Sequence, residues 1–257
     1  MKISVSNLCF LGTEFSKMRY LPKEYGIEVF IEFGSQFYWD KEIKKVMNGR
    51  DGKLSIHGPF ISIDLASLDF NESHVFDIYK WAFDYYNKYE ADFYVQHISE
   101  PYYGKLTDKA RVRNKVIERL VKLADIAKKN NINIYIENTV ANSPDDELFD
   151  FEEFINIFKQ IKKFSCLIDI GHAYISQWDL LELIAELGPR IKAYHLHDNK
   201  GRYDNHLHVG EGLCNWPVFF KEYKKNTPNA VLVLEYALGK VDSILKSISK
   251  IRAMYHT

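Results

Sequence analysis

Short apolar segments typical of β-strands alternate along the whole chain with longer segments of helical periodicity. No segment rich in Pro, Gly or Ser interrupts this alternation, which favours a single domain over residues 1–257. The eight predicted strands are Lys2–Asn7, Ile27–Phe33, Lys53–Phe60, Phe93–Ser99, Ile132–Thr139, Ser165–Gly171, Ile191–Asp198 and Ala230–Tyr236. The clearest predicted helices are Glu72–Tyr89, Asp108–Lys129, Phe151–Lys162, Asp179–Glu186, Trp216–Lys225 and Val241–Tyr255.

Eight strands that each precede a helix are typical of a closed parallel (β/α)8 barrel, the TIM barrel. An open doubly wound sheet of similar length is the alternative, but no glycine-rich GxGxxG sequence follows the first predicted strand. The pattern is weakest over Phe10–Tyr25, where the helical periodicity is vague and we expect mostly loop. The sequence therefore predicts an α/β protein with a single TIM barrel.

The composition indicates a soluble globular protein, with 46% hydrophobic and 27% charged residues. Because 34 Lys and Arg face 35 Asp and Glu, no global positive field attracts nucleic acid or an anionic membrane. The three cysteines are far apart and form no CxxC pair, which fits a reducing compartment. With no signal segment and no long apolar run, we expect a cytoplasmic protein without a membrane partner.

Polar side chains at the carboxyl ends of the predicted strands carry the candidate chemistry. Alternate residues of a strand face opposite ways, so in INIYIENT the isoleucines face the helices and Tyr135 and Glu137 face the barrel interior. Seven of the eight strands end in this way in an ionisable side chain, at the face where TIM-barrel enzymes keep their active sites. These residues are Glu32, His57, His97, Glu137, Asp169, His195 and Glu235.

Converging carboxylates and imidazoles would repel one another or carry a heavy desolvation cost, whereas shared divalent ions would neutralise them. The stretch Tyr194–Gly212 adds four histidines; within it, Asp204 and His206 could chelate an ion or hold a polar substrate. His172, three residues after Asp169, is a ligand or a substrate contact. Against these hypotheses stands the simpler interpretation that all are solvated loop and strand-end residues.

The roles of four further residues stay open in the sequence. Phe60 in HGPF could line a sugar pocket, wedge against a nucleic-acid base, or pack in the core. His197 and His208 are interpreted as residues that support metal ligands or lie in the loop, and Glu211 between two glycines indicates a tight turn first and a functional carboxylate second.

With these motifs the chain resembles the xylose-isomerase-like TIM-barrel superfamily, which groups sugar and sugar-phosphate isomerases and epimerases with the endonuclease IV family of apurinic endonucleases. The matching motifs are IEVFIEF, HGPF, IENT, DIGHA, HLHDN, DNHLHVGEG and VLEY, in that order. The isomerase branch implies that Glu137, Asp169, His195 and Glu235 bind one catalytic divalent metal. It also implies that Glu137 and Glu235 form the acid/base pair.

The endonuclease branch implies a trinuclear zinc site instead. Its nine ligands would match His57, His97, Glu137, Asp169, His172, His195, Asp204, His206 and Glu235. Two departures weigh against DNA repair: the chain is short for that branch, and its net charge is −1 with only eight arginines. Phosphate contacts dominate affinity for DNA, so a repair enzyme should have a basic face.

The leading functional prediction is therefore a metal-dependent sugar or sugar-phosphate isomerase or epimerase. One glutamate would remove the proton next to a metal-polarised carbonyl and the other would return it. The alternatives are an abasic-site endonuclease and a non-catalytic sugar-binding barrel. The expected cofactor is one to three divalent ions of zinc, manganese, magnesium or cobalt; the expected partner is a small sugar or sugar phosphate, and homo-oligomerisation is left open. The predicted substrate-contacting residues are Glu32, Phe60, His172, Asp204 and His206.

Overall fold

Eight parallel strands close into a barrel in sequence order in a computed structural model that describes residues 1–32, 36–100, 108–140 and 146–256. The strands are β1 Lys2–Ser6, β2 Gly26–Phe30, β3 Leu54–His57, β4 Tyr94–His97, β5 Ile134–Glu137, β6 Ser165–Asp169, β7 Ile191–Leu196 and β8 Val231–Leu234. β1 pairs with both β2 and β8, and Ile3 lies opposite Leu232. The predicted TIM barrel is confirmed.

Helices cover the outside of the barrel. They are α1 Gln36–Met47, α2 Glu72–Lys88, α3 Lys109–Lys129, α4 Phe151–Gln160, α5 Ile170–Ile175, α6 Leu180–Leu187, α7 Trp216–Asn226 and α8 Val241–His256. The connection after β1 is not the expected loop, because 3-10 helices cover Asn7–Phe10 and Gly12–Tyr20. None of the helices in the described ranges is long and apolar enough to cross a membrane.

Every predicted strand exists, but most predictions run one to three residues past the observed carboxyl end. β6 shows why, since the Asp169 side chain accepts a hydrogen bond from the backbone N–H of His172 and so caps α5. Ile170 and Gly171 are therefore helical rather than extended. Phe33, the predicted last residue of the second strand, lies outside the described residues.

Two layers of apolar packing confine the polar groups to one end of the barrel. A small cluster fills the interior and includes Phe93, Val95, Leu167, Ala193 and Val233, with Tyr135 packed against it. Ile134 and Ile136 belong instead to the large core between strands and helices. The predicted division of INIYIENT into inward and outward faces is confirmed, and Glu137 comes next after Tyr135 on the interior face.

Candidate metal centre

Four buried side chains from four strand ends meet above the interior cluster. Each offers one ligand atom within 4.8 Å of the others, and we call them the central group: Glu137, Asp169, His195 and Glu235. Nδ1 of His195 lies 2.9 Å from Oε1 of Glu137 and 3.4 Å from Oε2 of Glu235. One imidazole nitrogen and three carboxylates around a small space are donors that suit a divalent transition metal.

A second group shares Glu137 with the first. Its members are His57, His97 and Glu137, which we call the shared-glutamate group. Oε2 of Glu137 lies 3.3 Å from Nε2 of His57 and 3.5 Å from Nε2 of His97, while Oε1 faces His195. Within the described part of the chain, Oε2 of Glu137 and Nε2 of His57 are buried without a hydrogen bond. Such unsatisfied buried atoms are costly, and a bound cation between them would remove that cost.

A third group lies at the outer edge of the centre and we call it the loop group: His172, His197, Asp204 and His206. Oδ2 of Asp204 lies 3.1 Å from Nε2 of His172 and 2.9 Å from Nε2 of His206. His206 has φ +46°, a left-handed conformation that is uncommon outside glycine and often found at functional sites. The sequence analysis predicted His172, Asp204 and His206 as candidate metal ligands or substrate contacts, but it did not predict His197 as a ligand.

Four of the histidines are oriented by partners on the nitrogen that faces away from the cluster. Nδ1 of His57, His172 and His206 contacts the backbone oxygens of Gly58, Asn138 and Glu235 at 2.8–3.0 Å. Nδ1 of His97 lies 3.0 Å from Oε1 of Glu100. A carbonyl or carboxylate on the far nitrogen fixes the tautomer and ring orientation of metal-binding histidines, so this arrangement fits a metal site.

Glu28 is a functional candidate that the sequence predictions missed. It is fully buried on β2, and its Oε1 lies 2.9 Å from Nε2 of His195, although the two are not aligned as a hydrogen bond. Ser55 donates a hydrogen bond of 3.1 Å to Oε2 of Glu28. The available signal is its inward register on β2, four residues before Glu32 and therefore on the same face of the strand, one layer below the strand end.

Asn138 joins two strand ends and was also missed. Its side chain accepts a hydrogen bond from the N–H of Asp169 at 2.8 Å and donates one to the Asp169 carbonyl at 3.0 Å. Its own carbonyl contacts His172. Asn138 therefore fixes the distance between β5 and β6, and with it the separation of Glu137 from Asp169.

His197 and Asp198 anchor the loop that follows β7. Asp198 accepts hydrogen bonds from the N–H groups of Asn199, Gly210 and Cys214 and from Nε1 of Trp216, which folds the loop over the barrel. The neighbouring His197 is buried with Nε2 2.9 Å from Asp169. A Cβ at Gly171 would collide with the His197 ring, so the glycine of DIGHA makes room for this imidazole.

The remaining histidine of this stretch, His208, lies outside the three groups. Its Nδ1 is 2.6 Å from Oγ of Ser247, and its ring packs against Tyr236. This is a contact between the loop and α8, in agreement with its interpretation as a loop residue.

The two glutamates of the central group differ in protonation. Burial raises the pKa of Glu235 to about 8, although His195 and His206 oppose the increase. Burial acts in the same direction on Glu137, but the charge and hydrogen bond of His195 and the nearby imidazole of His57 outweigh it and hold the pKa of Glu137 well below its usual range. Without a metal, Glu235 therefore carries a proton at neutral pH and Glu137 does not.

A cavity of about 500 Å³ opens above the centre and is lined by Glu137, His172, Glu235 and other residues of the three groups. Phe60 and Glu32 also line it. Both oxygens of Glu32 are engaged, with the N–H groups of Phe60 and Ile61 and with Oγ of Ser62 at 3.1–3.2 Å. A different cavity of about 380 Å³, around Lys2 and Arg252, lies at the amino-terminal end of the barrel.

Residues 22–254 match the family model described as xylose isomerase-like TIM barrel. The chain belongs to this family. Among its relatives, an uncharacterized protein of Methanocaldococcus jannaschii, MJ1614, is 26% identical over 254 residues, which cover 95% of each chain. A probable endonuclease 4 of Nitrosopumilus maritimus is 34% identical over 116 residues, which cover 37% of this chain and 41% of the relative.

Solved structures of the xylose isomerase-like fold superpose along the full chain. A D-tagatose 3-epimerase-like protein is 22% identical, with a TM-score of 0.81 over 100% of this chain and 97% of the other. The IOLI protein, solved with a bound zinc atom, is 14% identical, with a TM-score of 0.81 over 99% of each chain. At these identities the likeness is one of fold.

Proposed function

We propose that the protein is a divalent-metal-dependent isomerase or epimerase acting on a sugar or sugar derivative. The observation that carries the proposal is the pairing of Glu137 and Glu235 within the central group, because two buried glutamates face one cavity beside a candidate metal position. Positioned glutamates can act as base and acid in proton transfer. The epimerase-like and zinc-bound structures of the same fold support the proposal.

Glu137, Asp169, His195 and Glu235 would hold the metal, which when bound supplies polarisation of the substrate carbonyl. Glu137 is the base that takes the proton from the carbon next to the carbonyl. Glu235, which takes up a proton from solvent during turnover, delivers a proton to the intermediate. Nearly complete burial of both carboxyl groups excludes bulk water from the proton-transfer path.

The residues around this pair would position the substrate. His172 lines the cavity beside the central group, and Asp204 and His206 approach from the loop after β7. These three are the proposed contacts to substrate hydroxyls.

Solvent exchange tests the proposal. Metal-loaded protein is incubated in deuterated water with a panel of ketoses and aldoses, their phosphates and their alkyl- and aryl-substituted derivatives, and the products are read by NMR. The proposal expects deuterium at the carbon next to the carbonyl with at least one compound, and loss of the exchange after metal removal with EDTA. No incorporation across the panel, with bound metal verified, would contradict it.

Hydrolysis of a phosphodiester at an abasic DNA site is the second candidate. The observation that favours it is the presence of three donor groups that together contain the nine residues expected of a trinuclear centre, and two of these groups share Glu137. The partial similarity to a probable endonuclease 4 agrees with it. Two or three metal ions can stabilise both the attacking and the leaving oxygen of a phosphodiester.

A duplex with one abasic-site analogue tests this candidate directly. EDTA-sensitive nicking at the analogue by zinc-loaded protein would support it, and a matched duplex without the analogue is the control. An intact abasic strand in the presence of three equivalents of bound zinc would exclude it.

A further inference from the structure

The cavity above the central group has two chemically different walls. One wall carries carboxylates and imidazoles that belong to the three donor groups, namely His97, Glu137, His172, Asp204, His206 and Glu235. The opposite wall comes from the segments after β1, β2 and β3. It is mainly apolar and aromatic, and its main members are Leu8, Leu11, Tyr38, Trp39, Phe60 and Ile61.

The apolar wall is open to the solvent and held in place. Leu11 is 49% exposed and Ile61 is 77% exposed, although both line a concave surface. Tyr38 donates a hydrogen bond of 2.7 Å to the carbonyl of Gly12, which joins the start of α1 to the segment after β1. Exposed apolar groups gathered at a cavity mark a surface that a ligand covers.

Glu32 supports the same wall. Its carboxylate accepts hydrogen bonds from the backbone of Phe60 and Ile61, so these two residues are fixed at the cavity edge. Both oxygens of the Glu32 carboxylate therefore already accept hydrogen bonds within the protein. The side chains of Phe60 and Ile61 next to it are apolar.

The charges near the cavity disfavour a phosphate group. Among its described lining residues there is no Lys or Arg, and the imidazoles of His172 and His206 are both paired with Asp204. Glu32 adds a carboxylate on the apolar side. A phosphate is normally bound by cationic side chains or by helix N-termini, and an apolar wall offers it no compensation for lost hydration.

We propose that the substrate is an unphosphorylated, sugar-like hydroxycarbonyl compound with an apolar substituent, such as an alkyl or aryl group. The inference rests on the proposed function for the polar end of the ligand. Its hydroxycarbonyl end binds at the central group, and its apolar substituent covers Leu11, Phe60 and Ile61.

Binding of three hydroxamates tests this substrate class. Hydroxamates chelate a divalent metal through two adjacent oxygens, so acetohydroxamate, benzohydroxamate and phosphoglycolohydroxamate differ here mainly in the group directed at the apolar wall. Titration calorimetry with zinc-loaded protein should show benzohydroxamate at least about tenfold tighter than acetohydroxamate, since the ring buries apolar surface. Phosphoglycolohydroxamate should bind no tighter than acetohydroxamate.

The double variant Leu11→Asn/Ile61→Asn should lose the preference for benzohydroxamate and keep its affinity for acetohydroxamate. Leu68→Asn is the matched control, because Leu68 is 71% exposed and is not among the cavity-lining residues. Equal affinities, tightest binding of the phosphorylated probe, no binding of any probe, or an unchanged preference in the double variant would overturn the inference. A clear benzohydroxamate preference without solvent exchange for any substrate would leave the inference standing and contradict the proposed function alone.

Discussion

Nε2 of His195 lies 2.9 Å from Oε1 of Glu28, and both residues are fully buried. The opposite nitrogen of the same ring faces Glu137 in the central group. Burial lowers the pKa of His195, but the charges of Glu137, Glu235 and Glu28 outweigh it and raise that pKa. Glu28 thus increases the basicity of the ring from the side away from the metal position. Glu28→Gln should weaken zinc binding about 10- to 100-fold, as measured by competition with a chromogenic chelator.

Glu42→Gln is the control for that variant, since Glu42 is also largely buried but lies on α1 and pairs with Lys45. Its zinc affinity should equal that of the unmodified protein. Equal zinc affinities for the Glu28 and Glu42 variants would contradict the claim that Glu28 strengthens zinc binding through His195.

The contact between Gly171 and His197 predicts a stability effect. Gly171→Ala places a methyl group against the His197 ring and should lower the free energy of unfolding by about 1–3 kcal/mol. Urea denaturation of the metal-free protein measures this change. In a double-mutant cycle with His197→Ala, the added methyl group should cost less because the ring is gone. Strict additivity of the two changes would argue against the collision.

Metal binding should release protons at neutral pH. Burial lowers the pKa of His206, but the hydrogen bond that its ring donates to Asp204 and the charge of Glu235 outweigh it and raise the pKa to about 9. Glu235 itself has a pKa raised to about 8 by burial. Both groups therefore hold a proton at pH 7 in the metal-free protein, and a metal ion must displace it.

Zinc affinity should consequently rise from pH 6 to pH 9 and level off above that range. Titration calorimetry at pH 7 in two buffers of different ionisation enthalpy counts the released protons, and we expect more than one in total at saturation. The release should shrink at pH 9.5. A binding enthalpy independent of the buffer at pH 7 would contradict the raised pKa values.

The barrel and most of the centre were predictable because both depend on short-range patterns. Alternation of side chains in a strand fixes which residues face inward, so Glu137 and Asp169 could be placed at the carboxyl end of the barrel from sequence. Ile170 and Gly171 of DIGHA were predicted as strand but begin α5. The helix starts there because the Asp169 side chain caps it, and this cap is not visible in the alternation of the strand residues. The helix α1 was not among the clearest predictions, since the exposed Phe37 and Tyr38 obscure the helical spacing of its buried residues.

The division into three groups could not be predicted, because it depends on distances between different strands. The sequence does not indicate that Glu137 directs one oxygen to His195 and the other to His57 and His97. Glu28 was missed for a related reason. It lies one layer below the strand ends, where its partner His195 becomes apparent only once β2 and β7 face each other across the barrel.

The central claim is that Glu137 and Glu235 act as the acid/base pair. The rate at which a Glu235 variant exchanges the substrate proton with solvent tests this claim most directly. Glu235→Gln removes the proton donor but keeps an oxygen near the metal, so the variant should retain zinc and lose solvent deuterium incorporation by at least about 100-fold. Glu211→Gln, an exposed glutamate in the loop after β7, should exchange at the unmodified rate. Deuterium incorporation by zinc-loaded Glu235→Gln at the rate of the Glu211 control would contradict acid/base catalysis by this pair.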